Sequence, residues 1–444
     1  MKKGKLCIRR GIYYRLYDNK CYVWNTRNQK QYVFNSVVYE ILELIKLHIE
    51  LRIEDVIQKF SRKYGESELE VTNVFVPFLE SLQGEGIIAI ESKYNSIDIE
   101  QEVSQTFADK KILFSVLFET TYKCNERCQH CYVDSSCYEE RKELSTCEVK
   151  HIIDNLYRAN VGEITFSGGE FFARNDAVEI IEYASQKSFL INIFSNGTLL
   201  NSNMILRIAR CDIRSYHTSL YGSTAETHDK ITGIPGSFEK TIHTLKAFSE
   251  LGVSTCVKTT MMTTNAHEYD GLLRLCKELK CEIQVGLSIM PTMLKNNMNA
   301  KFRLDIDELR EITIKEMNRF DTRSVEKLEL EEKGICSAGY SSITINPYGD
   351  ILICTGIPIV LGNAVVDEIV ELWNSSTLLR EWRKKTVMDI SCMKTCQYAE
   401  YCSFCPAQAY LETGNCFGKY EEACMLAKTQ YQTEEVKMYG EQGT

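Results

Sequence analysis

Three cysteines in ETTYKCNERCQHCYVD, Cys124, Cys128 and Cys131, are spaced x3 and x2. Structural zinc takes a closed tetrahedral set of ligands, and a [4Fe–4S] cube offers four corners. Three thiolates on a cube leave one iron open, able to bind a small molecule and hand it an electron. The competing reading is a zinc site completed by His130, but adjacent His130 and Cys131 suit one tetrahedral ion poorly. Cys336, Cys354, Cys392, Cys396, Cys402, Cys405, Cys416 and Cys424 crowd the last quarter of the chain. With 19 cysteines in 444 residues and no hydrophobic signal core, such clusters argue for metal or redox work rather than disulfides. Cys7, Cys21 and the six cysteines from Cys137 to Cys281 are scattered and read as buried apolar thiols.

The elements that must position these thiols are legible from periodicity. From residue 111, apolar strands alternate with amphipathic helices: KILFSVLFE, EITFSGGE, FLINIFSNG, SYHTSLYG, STCVKTTMM and EIQVGLSIMP are the strands. Six such repeats predict α/β architecture, a parallel sheet clothed by helices. Six falls short of the eight that close a barrel, so a partial (β/α)6 TIM-like barrel is expected over 111–320, with polar and Gly-rich mouths after each strand. The three-cysteine loop is the first mouth. Residues 321–444 lose this rhythm and form a cysteine-rich domain in which SITINPYGDILIC reads as a β-hairpin.

Residues 1–95 read as a separate unit. Three strands precede helices with inward faces at Val38, Ile41, Leu42, Ile45, then Ile53, Val56, Ile57, Phe60, then Val74, Phe75, Phe78, Leu79. A closing strand in GEGIIAIE completes a winged-helix-like pattern, and 96–110 is the linker candidate. The net charge of −9 is uneven: residues 1–95 carry fifteen basic and twelve acidic residues, so the remainder is acidic. That acidic body counts against nucleic acid as a partner. No apolar run approaches the ~20 residues that cross a bilayer, so no membrane partner and a cytoplasmic location are expected.

The C-x3-C-x2-C motif after a first strand, with aromatic-type His130 before its last Cys, resembles that of the radical S-adenosylmethionine (AdoMet) enzymes. Gly168-Gly169-Glu170 at the second mouth is similar to that family's GGE. Ser195-Asn196-Gly197 is similar to its T/S-N-G, and Ser219 and Lys258 stand at its recurrent polar positions. HDKITGIPGSF, His228 to Phe238, resembles a stretch frequent in its peptide-modifying members. Singly these motifs are weak; in order, on successive strand mouths, they are strong. Two departures stand: Tyr221 replaces a frequent Asp, and Thr232 a frequent Arg. The resemblance implies a [4Fe–4S] cluster on Cys124, Cys128 and Cys131 whose open iron takes AdoMet. It implies cofactor contacts from His130, Gly168, Gly169, Glu170, Ser195, Asn196, Ser219 and Lys258. Reductive cleavage of AdoMet would give a 5′-deoxyadenosyl radical, with an electron donor such as flavodoxin or ferredoxin.

The late cysteines resemble the SPASM extension, which binds up to two auxiliary [4Fe–4S] clusters; the outer gaps here are x3 and x2 where x2 and x3 are usual. The resemblance assigns Cys336, Cys354 and Cys405 to auxiliary cluster I, and Cys392, Cys396, Cys402 and Cys424 to cluster II. The fourth position of cluster I is either Cys416 or open to a substrate thiolate. One or two structural zincs are the alternative for these knuckles.

The N-terminal unit resembles the leader-recognition domains of ribosomal-peptide maturases, which take a precursor's leader as an added strand. Lys2, Lys3, Lys5, Arg9, Arg10 and Arg15 would favour an acidic leader. The whole layout resembles the sactipeptide and ranthipeptide maturases, implying sulfur-to-carbon thioether formation in a ribosomally made precursor. Carbon–carbon cross-linking, decarboxylation, epimerisation and sulfatase maturation compete. A winged-helix iron–sulfur or zinc regulator is the non-enzyme alternative, and it leaves GGE and SNG unexplained.

Overall fold

The computed structural model describes residues 6–8, 12–25, 28, 30–47, 53–89, 107–133, 140–211, 213–293, 298–319 and 335–440. Lys2, Lys3, Lys5, Arg9, Arg10, Cys137 and most of the expected linker lie outside the described residues. The chain divides into two compact units, one of residues 1–110 with Ser188–Leu190 and one of the remainder from Lys111 onward.

In the first unit, β1 (Cys7–Ile8) precedes a meander of β2 (Ile12–Tyr17), β3 (Lys20–Asn25) and β4 (Lys30–Asn35). Asp18 and Asn19 form the two-residue turn between β2 and β3. Both sit at positive φ, 47° and 59°, which their short polar side chains tolerate and the strand twist favours. Helices Ser36–Leu47, Ile53–Tyr64 and Glu68–Gly84 follow, the last opened by a Ser67–Glu70 capping box. β5 (Ile88–Ala89) then pairs antiparallel with β1. Val38, Ile41, Leu42, Val56, Ile57, Phe60 and Leu79 form the core.

Two expectations are corrected here. Val74 is exposed, because 3.6-residue spacing turns Val71, Phe75, Leu79 and Leu82 inward instead. Arg15 is buried with its guanidinium on the Tyr14 carbonyl, so it adds nothing to an exposed basic face.

The second unit is built on one sheet. Apolar strands β6 (Ser115–Glu119), β7 (Glu163–Ser167), β8 (Leu190–Ser195), β9 (Ser215–Ser219), β10 (Thr255–Thr260) and β11 (Glu282–Gly286) lie side by side in chain order. The β6–β7, β8–β9, β9–β10 and β10–β11 pairs are parallel. Amphipathic helices between them bury Val149, Ile152, Ile180, Ile208, Leu245 and Phe248. The helix Ala225–Thr232 takes in the HDKIT residues, where periodicity alone marks none.

The predicted hairpin is present as β12 (Ser342–Ile345) and β13 (Asp350–Cys354), with a further strand β14 (Ile357–Asn363). β12 also pairs in parallel with β6, so the sheet runs β11-β10-β9-β8-β7-β6-β12-β13-β14. The cysteine-rich segment therefore continues the sheet that carries the first cysteine loop.

Candidate metal centres

At the mouth of β6 the chain turns into the loop holding Cys124, Cys128 and Cys131, and the neighbouring mouth lies directly on it. Gly169 N donates to Thr121 O at 2.8 Å, and Glu170 N to Lys123 O at 2.8 Å. A Cβ on Gly168 would stand 2.1 Å from Thr121 O, and one on Gly169 2.3 Å from Tyr122 O. Gly168 also has φ of 145°, a region L side chains rarely adopt. The glycine pair thus admits one backbone against another, and the partner is the cysteine loop.

Glu170 is buried, and its carboxylate accepts from Ser195 Oγ (2.8 Å), Asn196 N (2.7 Å) and Phe172 N (2.9 Å). Burial raises its pKa while these three donors favour the charge. Asn196 Nδ2 in turn donates to Asn125 Oδ1 at 3.0 Å, and Asn125 Nδ2 to Thr198 Oγ1 at 2.8 Å. Asn125 sits inside the cysteine motif, so the second and third mouths are both bonded to the first.

The other flank is held by the HDKITGIPGSF stretch. Arg127 N donates to Thr232 O (2.8 Å) and Gln129 N to Ile231 O (3.0 Å). Asp229 shapes that stretch by accepting from Gly236 N, Ser237 Oγ and Phe238 N at 2.5, 2.9 and 2.8 Å. His228 Nδ1 accepts from Tyr221 N at 3.1 Å. The stretch acts here as a bracket for the loop.

Inside the bracket the thiols lie near enough to act on one another electrostatically. Burial pushes Cys124 up to about 11, helped by the charges of Glu170, Glu126 and Cys131. Burial, Glu126, Cys131 and Cys124 raise Cys128 further. Bare thiolates are thus disfavoured at Cys124 and Cys128, and these two soft donors with the more exposed Cys131 suit a thiophilic iron–sulfur group that takes them deprotonated. The residues present fit a cluster. Glu126, with Oε2 3.5 Å from Cys128 Sγ, is buried beside them.

The remaining site candidates are placed as follows. His130 has a buried, unpartnered Nδ1 and packs edge-on against Tyr221 at 4.6 Å; burial lowers it to about 4, so the ring is neutral. Ser219 ends β9, beside Lys258 on β10. Lys258 Nζ lies 4.0 Å over the Phe194 ring, and burial lowers its pKa.

In the C-terminal segment two groups of thiols gather. Cys336, Cys354 and Cys405 act electrostatically on one another. Cys424 responds to Cys392 and Cys396, and Cys392, Cys396 and Cys402 pack on a common core of Val387, Ile390, Met393 and Ala399. Phe417 packs on that same core and its carbonyl receives Ser391 N, which sets the turn after Cys416 beside the second group. Among the described residues no three His, Cys, Asp or Glu side chains converge on a single ion-sized point. A four-iron cluster asks for thiolates on separate corners. No helix among the described residues is long and apolar enough to cross a membrane.

Two residues of this region escape sequence reasoning. Asn125, inside the motif, carries the link to Asn196 and Thr198. Glu119, fully buried at the end of β6, is marked in the sequence only as an acid closing the apolar run KILFSVLFE.

Comparison with known proteins agrees with this geometry. Residues 118–279 match the Radical SAM superfamily, and residues 336–406 match SPASM, an iron–sulfur cluster-binding domain. An AdoMet-dependent heme synthase of Methanosarcina barkeri is 25% identical over 327 residues, 68% of this chain and 93% of its own. The antilisterial bacteriocin subtilosin biosynthesis protein AlbA of Bacillus subtilis is 26% identical over 386 residues, 84% of this chain and 83% of its own. The crystal structure of Streptococcus suis SuiB bound to precursor peptide SuiA superposes with a TM-score of 0.64 at 17% identity, covering 94% of this chain and 99% of that one.

Proposed function

Starting from the Radical SAM and SPASM domains that this chain carries, we propose that it modifies a ribosomally made precursor peptide by joining a cysteine sulfur to carbon. When bound, the open-cornered cluster and AdoMet supply a one-electron cleavage that yields a hydrogen-abstracting 5′-deoxyadenosyl radical. The chain's own residues do the rest. Cys124, Cys128 and Cys131 hold the first cluster. Glu170, Ser195 and Asn196 fix the rim against it, with His130, Ser219 and Lys258 on the side where AdoMet and substrate enter. Cys336, Cys354 and Cys405 would hold auxiliary cluster I, which would also take the substrate thiolate. Cys392, Cys396, Cys402 and Cys424 hold cluster II.

The observation that carries this reading is the gathering of Cys336 and Cys405 about Cys354, which ends β13 in the sheet that also holds β6. The new S–C bond forms as one C–H and one S–H bond break. The hydrogen atom goes to the deoxyadenosyl radical, the proton to solvent, and one electron remains for an acceptor. An auxiliary cluster held by Cys336, Cys354 and Cys405 would be a suitable acceptor. An external one-electron donor, flavodoxin or ferredoxin in type, would supply the electron that AdoMet cleavage consumes.

The heme synthase relative suggests a porphyrin substrate, but its match spans 68% of this chain, whereas those of AlbA and SuiB span 84% and 94%. The wider match favours the peptide. We read the three-stranded meander β2–β3–β4 as the sheet on which an extended leader docks. Removing residues 1–95 weakens precursor binding at least about tenfold, roughly 1.4 kcal/mol; unchanged binding in a fluorescence titration defeats leader docking.

Mass spectrometry after anaerobic reaction tests the chemistry. A thioether lowers the peptide mass by two hydrogens and blocks cysteine alkylation. Epimerisation leaves the mass unchanged, and decarboxylation lowers it far more. In Cys402→Ala or Cys424→Ala, modified peptide falls at least about tenfold more than deoxyadenosine does; equal loss of both argues against an auxiliary role.

A further inference from the structure

Glu119 closes β6, the strand between β7 and β12, so it stands where the barrel sheet passes into the C-terminal hairpin. Its carboxyl is fully buried. The Tyr132 hydroxyl, one residue beyond Cys131, donates to it at 3.1 Å. The Tyr122 hydroxyl, two residues before Cys124, donates at 3.4 Å. One side chain therefore holds residues on both sides of the Cys124–Cys131 loop, and one of them, Tyr122, packs on Tyr348 at the turn of the hairpin that ends in Cys354.

Other contacts converge on the same seam. Met293 N donates to Tyr132 O at 3.0 Å, and Tyr122 packs edge-on against Tyr348 of the hairpin turn at 6.0 Å. Pro347 O receives Leu144 N at 2.9 Å. Burial pushes the Glu119 carboxyl up to about 7 even with hydroxyls around it. An apolar side chain would fill the space at less cost, so packing alone gives no reason for an acid there.

We infer that Glu119 is a positioning residue that holds the Cys124–Cys131 loop and the Cys354 turn at a fixed separation. Electron transfer to auxiliary cluster I then keeps pace with hydrogen abstraction. The inference rests on the oxidative reaction proposed above: one C–H and one S–H bond are replaced by S–C, with a hydrogen atom to the deoxyadenosyl radical, a proton to solvent and an electron to the auxiliary cluster.

The test compares the reconstituted full chain with Glu119→Ala, Glu119→Gln and the double variant Tyr122→Phe/Tyr132→Phe, which keeps both rings and removes both hydroxyls. Three quantities are read: iron per chain, the distance between the reduced centres by pulsed EPR, and deoxyadenosine formed per modified peptide. Iron stays at the parent value in all three variants. In the Ala and double variants the inter-centre distance distribution shifts or broadens, and deoxyadenosine per modified peptide rises at least tenfold. Glu119→Gln, which keeps an acceptor, stays nearer the parent. Parent-like distance and ratio in both disruptive variants overturn the inference. So does loss of iron from the first centre in both, which would make the group a simple support of its own loop. Distance and ratio are readable for any oxidised product, so a product other than a thioether defeats the proposed function and leaves this inference standing.

Discussion

Alanine in place of Cys124, Cys128 and Cys131 leaves a chain that makes no 5′-deoxyadenosine. The three thiols lie in one loop, where Cys131 raises the cost of ionising Cys124, and both raise that of Cys128, so they act as a unit. Groups that act as a unit lose function together, and the loss is at least about a thousandfold. Iron analysis separates this from unfolding: the triple variant keeps the iron of the C-terminal thiols and loses that of the first loop. Deoxyadenosine above buffer background from an anaerobic reaction with dithionite and AdoMet would falsify the assignment of this loop.

Gly168→Ala produces nearly the same loss without touching a ligand. The new Cβ meets Thr121 O at 2.1 Å, and the clash is with backbone rather than with the end of a flexible side chain. At φ of 145° the substitution is strained as well. Overpacking and strain together cost about 3 kcal/mol or more. Because Gly169 N and Glu170 N bond to the carbonyls of Thr121 and Lys123, relief of the clash means lifting the cysteine loop off its neighbour. The apo protein melts roughly 5 °C lower, and iron at the first centre is lost. A variant with parent melting temperature and full iron would show that the two mouths are free to separate.

The six strand–helix repeats are legible because the strands are apolar throughout and the helices carry one apolar face, both local signals. The thiol spacings are equally legible, since ligand type and interval are properties of the chain itself. Non-local pairings are not. Nothing in SITI marks it as a parallel partner of SVLFE more than two hundred residues earlier, because register between distant strands leaves no periodic trace. Glu170 stands out in the sequence as a cofactor contact, but the donors that hold its carboxylate, Ser195, Asn196 and Phe172, come from pairings the sequence does not mark. Val74 was misplaced by one position on its helix, which is enough to move a side chain from core to water. Arg15 joined a surface patch by composition, although strand alternation does not say which face is covered.

The parallel ladder between Ser342–Ile345 and Ser115–Phe118 sets where this protein can be cut. A truncation ending near residue 320 would not free a self-sufficient catalytic half; it would strip β6 of one neighbour and leave its apolar edge with bare amide and carbonyl groups. Such fragments stick edge to edge. Soluble expression of the two halves therefore requires both in the same cell, and they should then re-associate along that seam.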